Sequence, residues 1–220
     1  MKKILVLIPA FNAEKTISSL IEQISAFIDK KDILVVDDGS RDKTYQFVIN
    51  SGVKCIQHSK NKGKGEALKT GFGYALREGY SGVITLDADL QHDPKFIPEF
   101  IKKAESDILV GTRDIRLKTM PFPRWLSNNM TSIIVSILGD TKVRDSQSGY
   151  RYISAEVLKT VKLKTKKYEL ESELLIKAGR RKFKIAPVPI STIYQGSKSF
   201  INPLVDTGRF IKLMWKSLFW

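Results

Sequence analysis

Cysteine, histidine and long apolar runs are scarce in this 220-residue chain, which contains one cysteine and two histidines. With Cys55 alone, an intramolecular disulfide is impossible, and a cysteine-based metal site lacks ligands. No stretch approaches the ~20 consecutive apolar residues of a membrane span, and the apolar run after Met1 is too short for a signal peptide. The chain also carries no zinc-finger pattern, no Walker A sequence, no aromatic-rich RNA-binding motif and no internal repeat.

Acidic residues are outnumbered by basic ones, because 37 Lys and Arg stand against 23 Asp and Glu, and the net charge is +14. Such an excess favours a polyanionic partner, which can be nucleic acid, an anionic membrane surface or a phosphorylated substrate. Since nucleic-acid motifs are missing, we expect no nucleic-acid partner. A non-catalytic membrane-binding or nucleic-acid-binding module is the distant alternative. Cys55 is expected to be a packed core thiol, in agreement with a cytoplasmic location.

Short apolar runs alternate along the chain with segments of helical apolar spacing. The predicted strands cover residues 3–8, 33–36, 53–57, 83–86, 108–110 and 149–153, with one or two more between 183 and 194. The predicted helices cover residues 13–28, 44–50, 66–78, 95–105, 125–138, 168–178 and 203–220. This alternation predicts an α/β fold with a largely parallel sheet flanked by helices and right-handed crossovers.

Two acids, Asp87 and Asp89, directly follow the apolar residues of the fourth predicted strand. Residues two apart in extended backbone point to the same side, so both carboxylates are expected to project together from a strand end. Held close and unpaired they would repel each other, and a divalent cation resolves that repulsion. Oxygen ligands without cysteine favour Mg²⁺ or Mn²⁺ over Zn²⁺. The alternative is a solvated loop that carries two acids.

Polar residues also follow the first two predicted strands, with Pro9 and Asn12 after the first and Asp37 and Asp38 after the second. Because ligands bind at the carboxyl ends of parallel strands, we expect three turns to converge on one crevice. The alternative for the second turn is an ordinary turn that ends in helix-capping groups.

Four other polar residues have structural interpretations. His58 and His92 are interpreted as surface or packing residues. Arg151 and Asp145 are close in sequence and can pair with each other.

Four ordered segments resemble the family 2 glycosyltransferases of GT-A fold, a Rossmann-like α/β architecture. They are residues 8–12 (IPAFN), 35–40 (VVDDGS), 61–65 (NKGKG) and 86–94 (LDADLQHDP). The nearest subgroup resembles the dolichol-phosphate mannose synthases and their bacterial polyprenyl-phosphate relatives. The second half resembles this subgroup more weakly, in residues 111–113 (GTR), 145–151 (DSQSGYR) and 197–199 (SKS). Four motifs in order are far more specific than any one alone.

The resemblance implies a GT-A catalytic domain over residues 1–200. It also implies inverting, metal-dependent transfer of a sugar from GDP-mannose or a UDP-hexose to a polyprenyl phosphate. Mg²⁺ or Mn²⁺ would bridge the diphosphate and act as Lewis acid for the departing nucleoside diphosphate. The implied metal ligands are Asp87, Asp89 and Gln91, and Asp89 is also assigned as catalytic. The implied contacts to the nucleotide sugar are Pro9, Asn12, Asp37, Asp38, Lys64, Asp87 and Ala88.

A basic segment with Arg113, Arg116, Lys118 and Arg124 precedes the apolar helix predicted at 125–138. It suits a phosphate headgroup on an apolar lipid, and an ionised phosphate needs no general base. We therefore assign Arg113, Arg124 and Ser127 to the acceptor phosphate, with both arginines also as catalytic groups. The alternatives are a solvated basic loop, a sugar hydroxyl on a glycan or lipid-linked sugar as acceptor, and a phosphatase with an aspartate nucleophile.

The C-terminal segment, residues 201–220, interleaves basic residues with Trp215, Phe219 and Trp220. It is too short and too charged to span a bilayer, but as an amphipathic helix it can lie in the interface. We therefore expect a cytoplasmic enzyme that binds peripherally to the inner face of the membrane. The alternatives are that this helix packs on the domain, pairs with a second copy in a homodimer or meets a membrane partner protein.

Overall fold

The computed structural model describes residues 2–113, 122–191 and 203–217, and it contains a seven-stranded sheet with helices on both faces. The strands are β1 (Ile4–Ala10), β2 (Ile33–Asp37), β3 (Lys54–Gln57), β4 (Gly82–Thr85), β5 (Ile108–Arg113), β6 (Arg151–Ser154) and β7 (Ile185–Ile190). The α-helices are α1 (Ile17–Ser25), α2 (Thr44–Asn50), α3 (Lys64–Arg77), α4 (Ile97–Lys102), α5 (Phe122–Gly139), α6 (Ala155–Thr160), α7 (Glu169–Arg180) and α8 (Pro203–Ser217). The predicted α/β fold is confirmed.

The strands lie in the order β3-β2-β1-β4-β6-β5-β7. Every neighbouring pair is parallel except those of β6, which runs antiparallel to both β4 and β5. The carboxyl ends of the other strands therefore share one edge of the sheet. Because β6 is reversed, the loop before it, residues 145–150, reaches that same edge.

The central strands are buried on both faces, which explains why their sequences are continuous apolar runs. Alternate residues of β1 enter different cores. Ile4, Val6 and Ile8 pack with the apolar face of α1 and with α4, whereas Leu5 and Leu7 pack with α3 and α7. This two-sided burial fixes the register of the strands and the position of the loops that follow them.

Some element boundaries differ from those predicted from sequence. Helix α1 begins at Ile17 and not at residue 13, since residues 14–16 form a turn in which the main-chain oxygen of Ala13 accepts from the backbone N–H groups of Thr16 and Ile17. Helix α5 begins at Phe122, inside the segment predicted to be a loop. Helix α6 was not predicted, and its N-cap is Ser154, whose side chain accepts from the backbone N–H of Val157.

Helix α8 packs against α7, and the Arg180 side chain forms hydrogen bonds that connect α5, α7 and α8. Arg180 of α7 donates to the main-chain oxygens of Leu138 in α5 and Ser217 in α8. Leu213 of α8 is buried. One face of the C-terminal helix therefore packs on the rest of the chain, as one of the sequence-based alternatives stated.

The remaining surface of α8 is exposed and apolar in part. Ile211 is 58% exposed and Trp215 is 69% exposed. Phe219 and Trp220 lie outside the described residues. None of the described helices is both long and apolar enough to cross a bilayer.

Candidate active site

Three loops meet where β1, β2 and β4 end. The backbone N–H of Asn12 donates to the Ser40 hydroxyl oxygen at 2.9 Å, which joins the loop after β1 to the loop after β2. The Thr16 hydroxyl donates to the main-chain oxygen of Ala88 at 2.6 Å, which joins the first loop to the loop after β4. Pro9 is buried within β1. The structure therefore brings Pro9, Asn12 and Ala88 to the expected edge.

Asp37 is fully buried at the end of β2, and both its carboxylate oxygens are hydrogen-bonded. One oxygen accepts from the backbone N–H of Ser40 at 2.9 Å, and the other accepts from the side-chain amide of Gln57 at 2.9 Å. The carboxylate thus shapes the turn after β2, as expected for a residue with helix-capping chemistry. Its contact with a nucleotide stays a prediction.

Asp38 holds the segment 61–65 against the sheet. Its carboxylate accepts from the backbone N–H groups of Lys62 and Gly63, at 3.0 and 2.7 Å, and from His58 Nδ1 at 2.7 Å. His58 Nε2 lies 2.9 Å from the Thr70 hydroxyl oxygen. His58 is therefore a buried, hydrogen-bonded residue and not a surface one. A nucleotide contact by Asp38 stays a prediction.

A cleft of about 370 Å³ opens beside these two acids. Its lining comes from the ends of β1, β2 and β3 and includes an aromatic ring, hydroxyl, amide and imidazole groups and basic side chains. The lining residues are Phe11, Gly39, Ser40, Arg41, Gln57, His58, Ser59, Lys60 and Asn61. An aromatic ring beside polar hydrogen-bonding groups is suited to a nucleobase and its ribose.

Lys64, the first residue of α3, sits between two carboxylates. Its Nζ lies 2.6 Å from Asp87 Oδ1 and 3.3 and 3.2 Å from the two carboxylate oxygens of Glu171. Although burial opposes the charged form, the two carboxylates raise the pKa of Lys64 above its ordinary value. Burial alone would raise the pKa of Asp87, but the Lys64 ammonium holds it below its ordinary value. Both groups are therefore ionised near neutrality.

Asp89 follows two residues later, and its environment is less favourable for a negative charge. Burial, followed by the neighbouring Asp87, raises the pKa of Asp89 above its ordinary value. One of its oxygens accepts from the backbone N–H of Gln91 at 3.0 Å. Leu90, between them, has a positive φ of 61°. A backbone conformation this rare for leucine points to a constrained loop at the strand end.

The loop before β6 forms the wall behind Asp87. The Thr85 hydroxyl donates to the main-chain oxygen of Gly149 at 2.7 Å. A Cβ atom on Gly149 would lie only 2.4 Å from Asp87 Oδ2. Glycine is therefore required at this position if the loop is to sit against the carboxylate.

The structure contradicts the alternative in which Arg151 pairs with Asp145. Asp145 is buried and accepts from Nε and Nη2 of Arg113, at 2.6 and 2.8 Å. Arg151 is also buried and donates to three main-chain oxygens, those of Ser146, Ser148 and Glu171. Buried main-chain oxygens need hydrogen-bond donors, and the Arg151 guanidinium supplies them. The Asp145 carboxylate is therefore left to pair with Arg113.

The basic segment assigned to an acceptor phosphate is described only in part. Arg113 ends β5 beside Asp145, and Ser127 is exposed on α5. Arg124 belongs to the first turn of α5, but its side chain lies outside the described residues. Arg116, Lys118 and residues 197–199 are also outside them. The acceptor assignments therefore stay predictions.

His92 is a packing residue, as expected, but it is buried and not at the surface. Its ring packs on Tyr150 at 5.5 Å, and Tyr150 stacks on Phe100 at 4.4 Å. Burial lowers the pKa of His92 to about 4, although Asp87 opposes the shift. Its imidazole is therefore neutral near pH 7.

The residues at the end of β4 fit a divalent cation. Burial and the nearby Asp87 raise the pKa of Asp89, so a cation beside it would stabilise its carboxylate form, and the ammonium on Asp87 Oδ1 marks a cation position. Among the described residues, no three acidic, imidazole or thiol groups converge on one metal position. Two carboxylates that leave sites open for phosphate oxygens are typical of Mg²⁺ in phosphate-binding enzymes.

Glu171 is the site residue that the sequence analysis missed. It lies 107 positions after Lys64, and only the docking of α7 on α3 brings the two together. The sequence contains a weak signal for this residue, because Glu171 lies in the first turn of α7, a helix whose other residues are mostly buried. A buried carboxylate requires a cationic or hydrogen-bonding partner.

The family model for glycosyl transferase family 2 matches residues 5–162. The chain belongs to this family. It is a glycosyltransferase, and the fold and the strand-end motifs described above are those on which the sequence resemblance rested.

Curated relatives are similar over most of the chain. A UDP-N-acetylglucosamine–dolichyl-phosphate N-acetylglucosaminyltransferase of Methanococcus voltae is 36% identical, with 88% of this chain and 86% of that protein covered. A dolichol-phosphate mannosyltransferase of Pyrococcus furiosus is 31% identical, with 86% of this chain and 56% of that protein covered. Both relatives are named for a dolichyl phosphate acceptor.

Glucosyl-3-phosphoglycerate synthase from Mycobacterium tuberculosis has a similar fold. Its complex with Mn²⁺, UDP and phosphoglyceric acid superposes with a TM-score of 0.76 at 24% identity, with 99% of this chain and 77% of that chain covered. Another structure of the same enzyme contains Mg²⁺ and UDP. Structural neighbours of this chain thus bind a divalent metal ion together with a nucleoside diphosphate.

Proposed function

We propose that this glycosyltransferase moves a hexose from a nucleoside-diphosphate sugar to a polyprenyl phosphate, with Mg²⁺ or Mn²⁺ and with inversion at the anomeric carbon. The observation that carries the proposal is the cluster of Asp87, Asp89 and Lys64 at the end of β4, next to the cleft at the ends of β1, β2 and β3. The names of the relatives support the lipid phosphate as acceptor.

The donor would lie along the sheet edge. The base and ribose would occupy the cleft beside Phe11 and Gln57, and the diphosphate would reach Lys64 and the carboxylates. When bound, the divalent cation supplies Lewis-acid stabilisation of the leaving diphosphate. Asp87, Asp89 and the side chain of Gln91 would hold it there. The relatives are named for different sugars, so GDP-mannose and UDP-hexoses both remain candidate donors.

The reaction is a single displacement. An ionised oxygen of the acceptor phosphate attacks the anomeric carbon as the bond from that carbon to the diphosphate oxygen breaks, and the nucleoside diphosphate leaves with the bonding electrons. Because the attacking oxygen carries no proton to remove, no general base is needed. Arg113 and Arg124 would bind the acceptor phosphate, and Asp145 holds the Arg113 guanidinium in a fixed orientation.

The enzyme would bind the membrane surface through apolar residues on two helices that Arg180 connects. Helix α8 exposes Ile211 and Trp215. Helix α5 exposes Met130, Ile133 and Ile137 along one side. Exposed apolar residues next to basic ones suit the interface of an anionic bilayer, where a polyprenyl phosphate resides.

The test is a transfer assay with the full chain, Mn²⁺ and a panel of radiolabelled GDP-mannose, UDP-glucose and UDP-N-acetylglucosamine. We expect one donor to label an organic-soluble product when polyprenyl phosphate is supplied, and no label with the matched polyprenol or with excess EDTA. Equal labelling of polyprenol would contradict the lipid phosphate as acceptor, because a hydroxyl would then accept the sugar as well as a phosphate does. Labelling that persists in EDTA would contradict the metal assignment.

A further inference from the structure

The ammonium of Lys64 pairs with Asp87 Oδ1, a carboxylate oxygen that a metal ion would also bind. Lys64 Nζ lies 2.6 Å from Asp87 Oδ1, and the Lys64 side chain is only 16% exposed. A divalent cation on the same oxygen would be a few ångströms from this ammonium, and two such charges repel strongly in a partly buried site. Metal binding and the contact between Lys64 and Asp87 are therefore in competition.

Glu171 is a second ion-pair partner for the Lys64 ammonium. Its two carboxylate oxygens lie 3.2 and 3.3 Å from Lys64 Nζ, slightly farther than Asp87 Oδ1. Glu171 is nearly buried, and Arg151 donates to its main-chain oxygen at 2.7 Å. A small shift of the ammonium away from Asp87 would leave it paired with Glu171.

The positions of Lys64 and Glu171 are fixed relative to each other by a close backbone contact. Gly63, with φ of 102°, and Gly65 lie on either side of Lys64, and Cβ atoms there would come within 2.6–2.7 Å of the main chain of Lys166. The backbone N–H of Glu66 donates to the main-chain oxygen of Lys166 at 3.1 Å. The glycines thus let the segment before α7 dock on the start of α3.

The metal ligands belong to a different part of the structure, the loop after β4. Asp87 and Asp89 supply two carboxylates, and no third acidic, imidazole or thiol group among the described residues joins them. Two carboxylates, one already paired with an ammonium, form a weak site for a cation alone. Phosphate oxygens would both complete the coordination and offer Lys64 a new anionic partner.

We propose that Glu171 is a positioning residue for Lys64, and that Lys64 is a built-in cation that holds Asp87 until a metal ion arrives with its nucleotide. When a metal ion binds Asp87, the Lys64 ammonium would shift to the Glu171 carboxylate. It would then also contact the bound diphosphate. The inference rests on the proposed function, because it requires Asp87 to bind the metal. Glu171 acts through Lys64 and not as a metal ligand.

The test measures the affinity of the full-length protein for Mn²⁺ by electron paramagnetic resonance, with and without UDP or GDP. We expect Lys64→Met to bind Mn²⁺ alone about tenfold more tightly than the wild type, because a competing cation is gone. With the nucleotide that binds the wild type, the same variant should bind Mn²⁺ more weakly. Lys69→Met is the matched control, since Lys69 is also on α3 and pairs with a carboxylate, that of Glu66, at 2.8 Å; it should behave as the wild type.

The double-mutant comparison separates the role of Glu171 from that of a metal ligand. We expect Glu171→Gln to weaken binding of Mn²⁺ alone about fivefold when Lys64 is present, and less than twofold in the Lys64→Met background. An equal loss in both backgrounds would overturn the inference, because Glu171 would then act on the metal directly. Unchanged Mn²⁺ affinity in Lys64→Met would also overturn it.

Two controls keep these outcomes distinct from failure of the proposed function. If no variant and no wild-type sample binds Mn²⁺ even with nucleotide, the metal assignment fails and the inference fails with it. Thermal unfolding of each variant checks folding, and Lys64→Arg, which keeps the charge, should retain the nucleotide dependence of Mn²⁺ binding. Loss of that dependence in a folded Lys64→Arg protein would count against the inference.

Discussion

The two halves of the sheet edge differ in how their polar groups are held. In the half that we propose binds the sugar donor, here called the donor half and built on β1 to β4, Asp37 and Asp38 are buried and bonded to neighbouring loops of the same half. In the half that we propose binds the acceptor, here called the acceptor half and built on β5 to α8, Arg113 pairs with Asp145, while α5 and α8 expose apolar side chains. Internal hydrogen bonds thus hold the polar groups of the first half in place, whereas the second half exposes apolar side chains at its surface.

The largest expected effect is that of replacing Asp89, the carboxylate after β4 that we propose binds the metal ion. Asp89→Asn should lower transfer by about 10³-fold or more, since several kcal/mol of leaving-group stabilisation depend on the metal. Its unfolding midpoint should change little, because Asp89 is only partly buried and an asparagine oxygen can still accept the hydrogen bond from the backbone N–H of Gln91. Steady-state kinetics and urea unfolding check both statements.

The control for this prediction is Asp29→Asn, a substitution in an exposed ion pair, which should leave activity unchanged. Near-normal transfer by Asp89→Asn would remove this residue from the site.

In the donor half, the next effect is on stability. Asp38→Ala should lower the free energy of unfolding by about 3 kcal/mol, because it leaves the buried N–H of Gly63, that of Lys62 and the His58 ring without their acceptor. Asp140→Asn, which breaks an exposed ion pair with Lys182 and tolerates the positive φ of 48° at this position, should have a much smaller effect. Urea unfolding measures both. If the two variants were equally stable, the donor half would not be preformed by these bonds.

In the acceptor half, the expected effect is on the Michaelis constant. Arg113→Ala should raise KM for polyprenyl phosphate about tenfold, the loss expected for one charge-assisted hydrogen bond, and should change KM for the nucleotide sugar much less. Arg144→Ala, at an exposed position close to Asp145, is the matched control. Equal increases for both substrates would place Arg113 on the donor side of the comparison.

The last expected effect, no larger than that on the Michaelis constant, is on membrane binding. The double substitution Ile211→Ser with Trp215→Ser should reduce co-sedimentation with anionic liposomes about tenfold, because two exposed apolar side chains no longer enter the interface. Substitutions are preferable to truncation, since removing α8 would also expose its contact with α7. The exposed residues Phe27 and Ile49, in the donor half, give the control Phe27→Ser with Ile49→Ser. Similar losses in both proteins would contradict an acceptor-side membrane surface.

Sequence reasoning succeeded where local pattern determines structure. Strands β1 and β2 are continuous apolar runs, and polar residues mark their ends, Asn12 after β1 and Asp37 with Asp38 at β2, so the donor half could be placed in advance. The position of Asp87 and Asp89 at a strand end was predicted from their spacing and from the apolar run that precedes them. These features depend on residues close together in the chain.

The rest depends on contacts that are distant in sequence. The insertion of β6, antiparallel, between β4 and β5 has no local signature, and it changes which loop lies behind Asp87. The partner of Asp145 was misassigned because Arg151, six positions away, was closer in sequence than Arg113. The contact between Lys64 and Glu171 depends on packing of α7 against α3, which no single segment encodes.

The most direct test of sugar transfer to a phosphate oxygen is a mass measurement of both products. The wild-type enzyme would be given a polyprenyl phosphate with ¹⁸O in its terminal oxygens, together with Mn²⁺ and the accepted nucleotide sugar. Displacement at the anomeric carbon predicts an unlabelled nucleoside diphosphate and a lipid product that has one phosphorus and all of the ¹⁸O. A released nucleoside monophosphate with a lipid diphosphate, or ¹⁸O in the nucleotide, would contradict it.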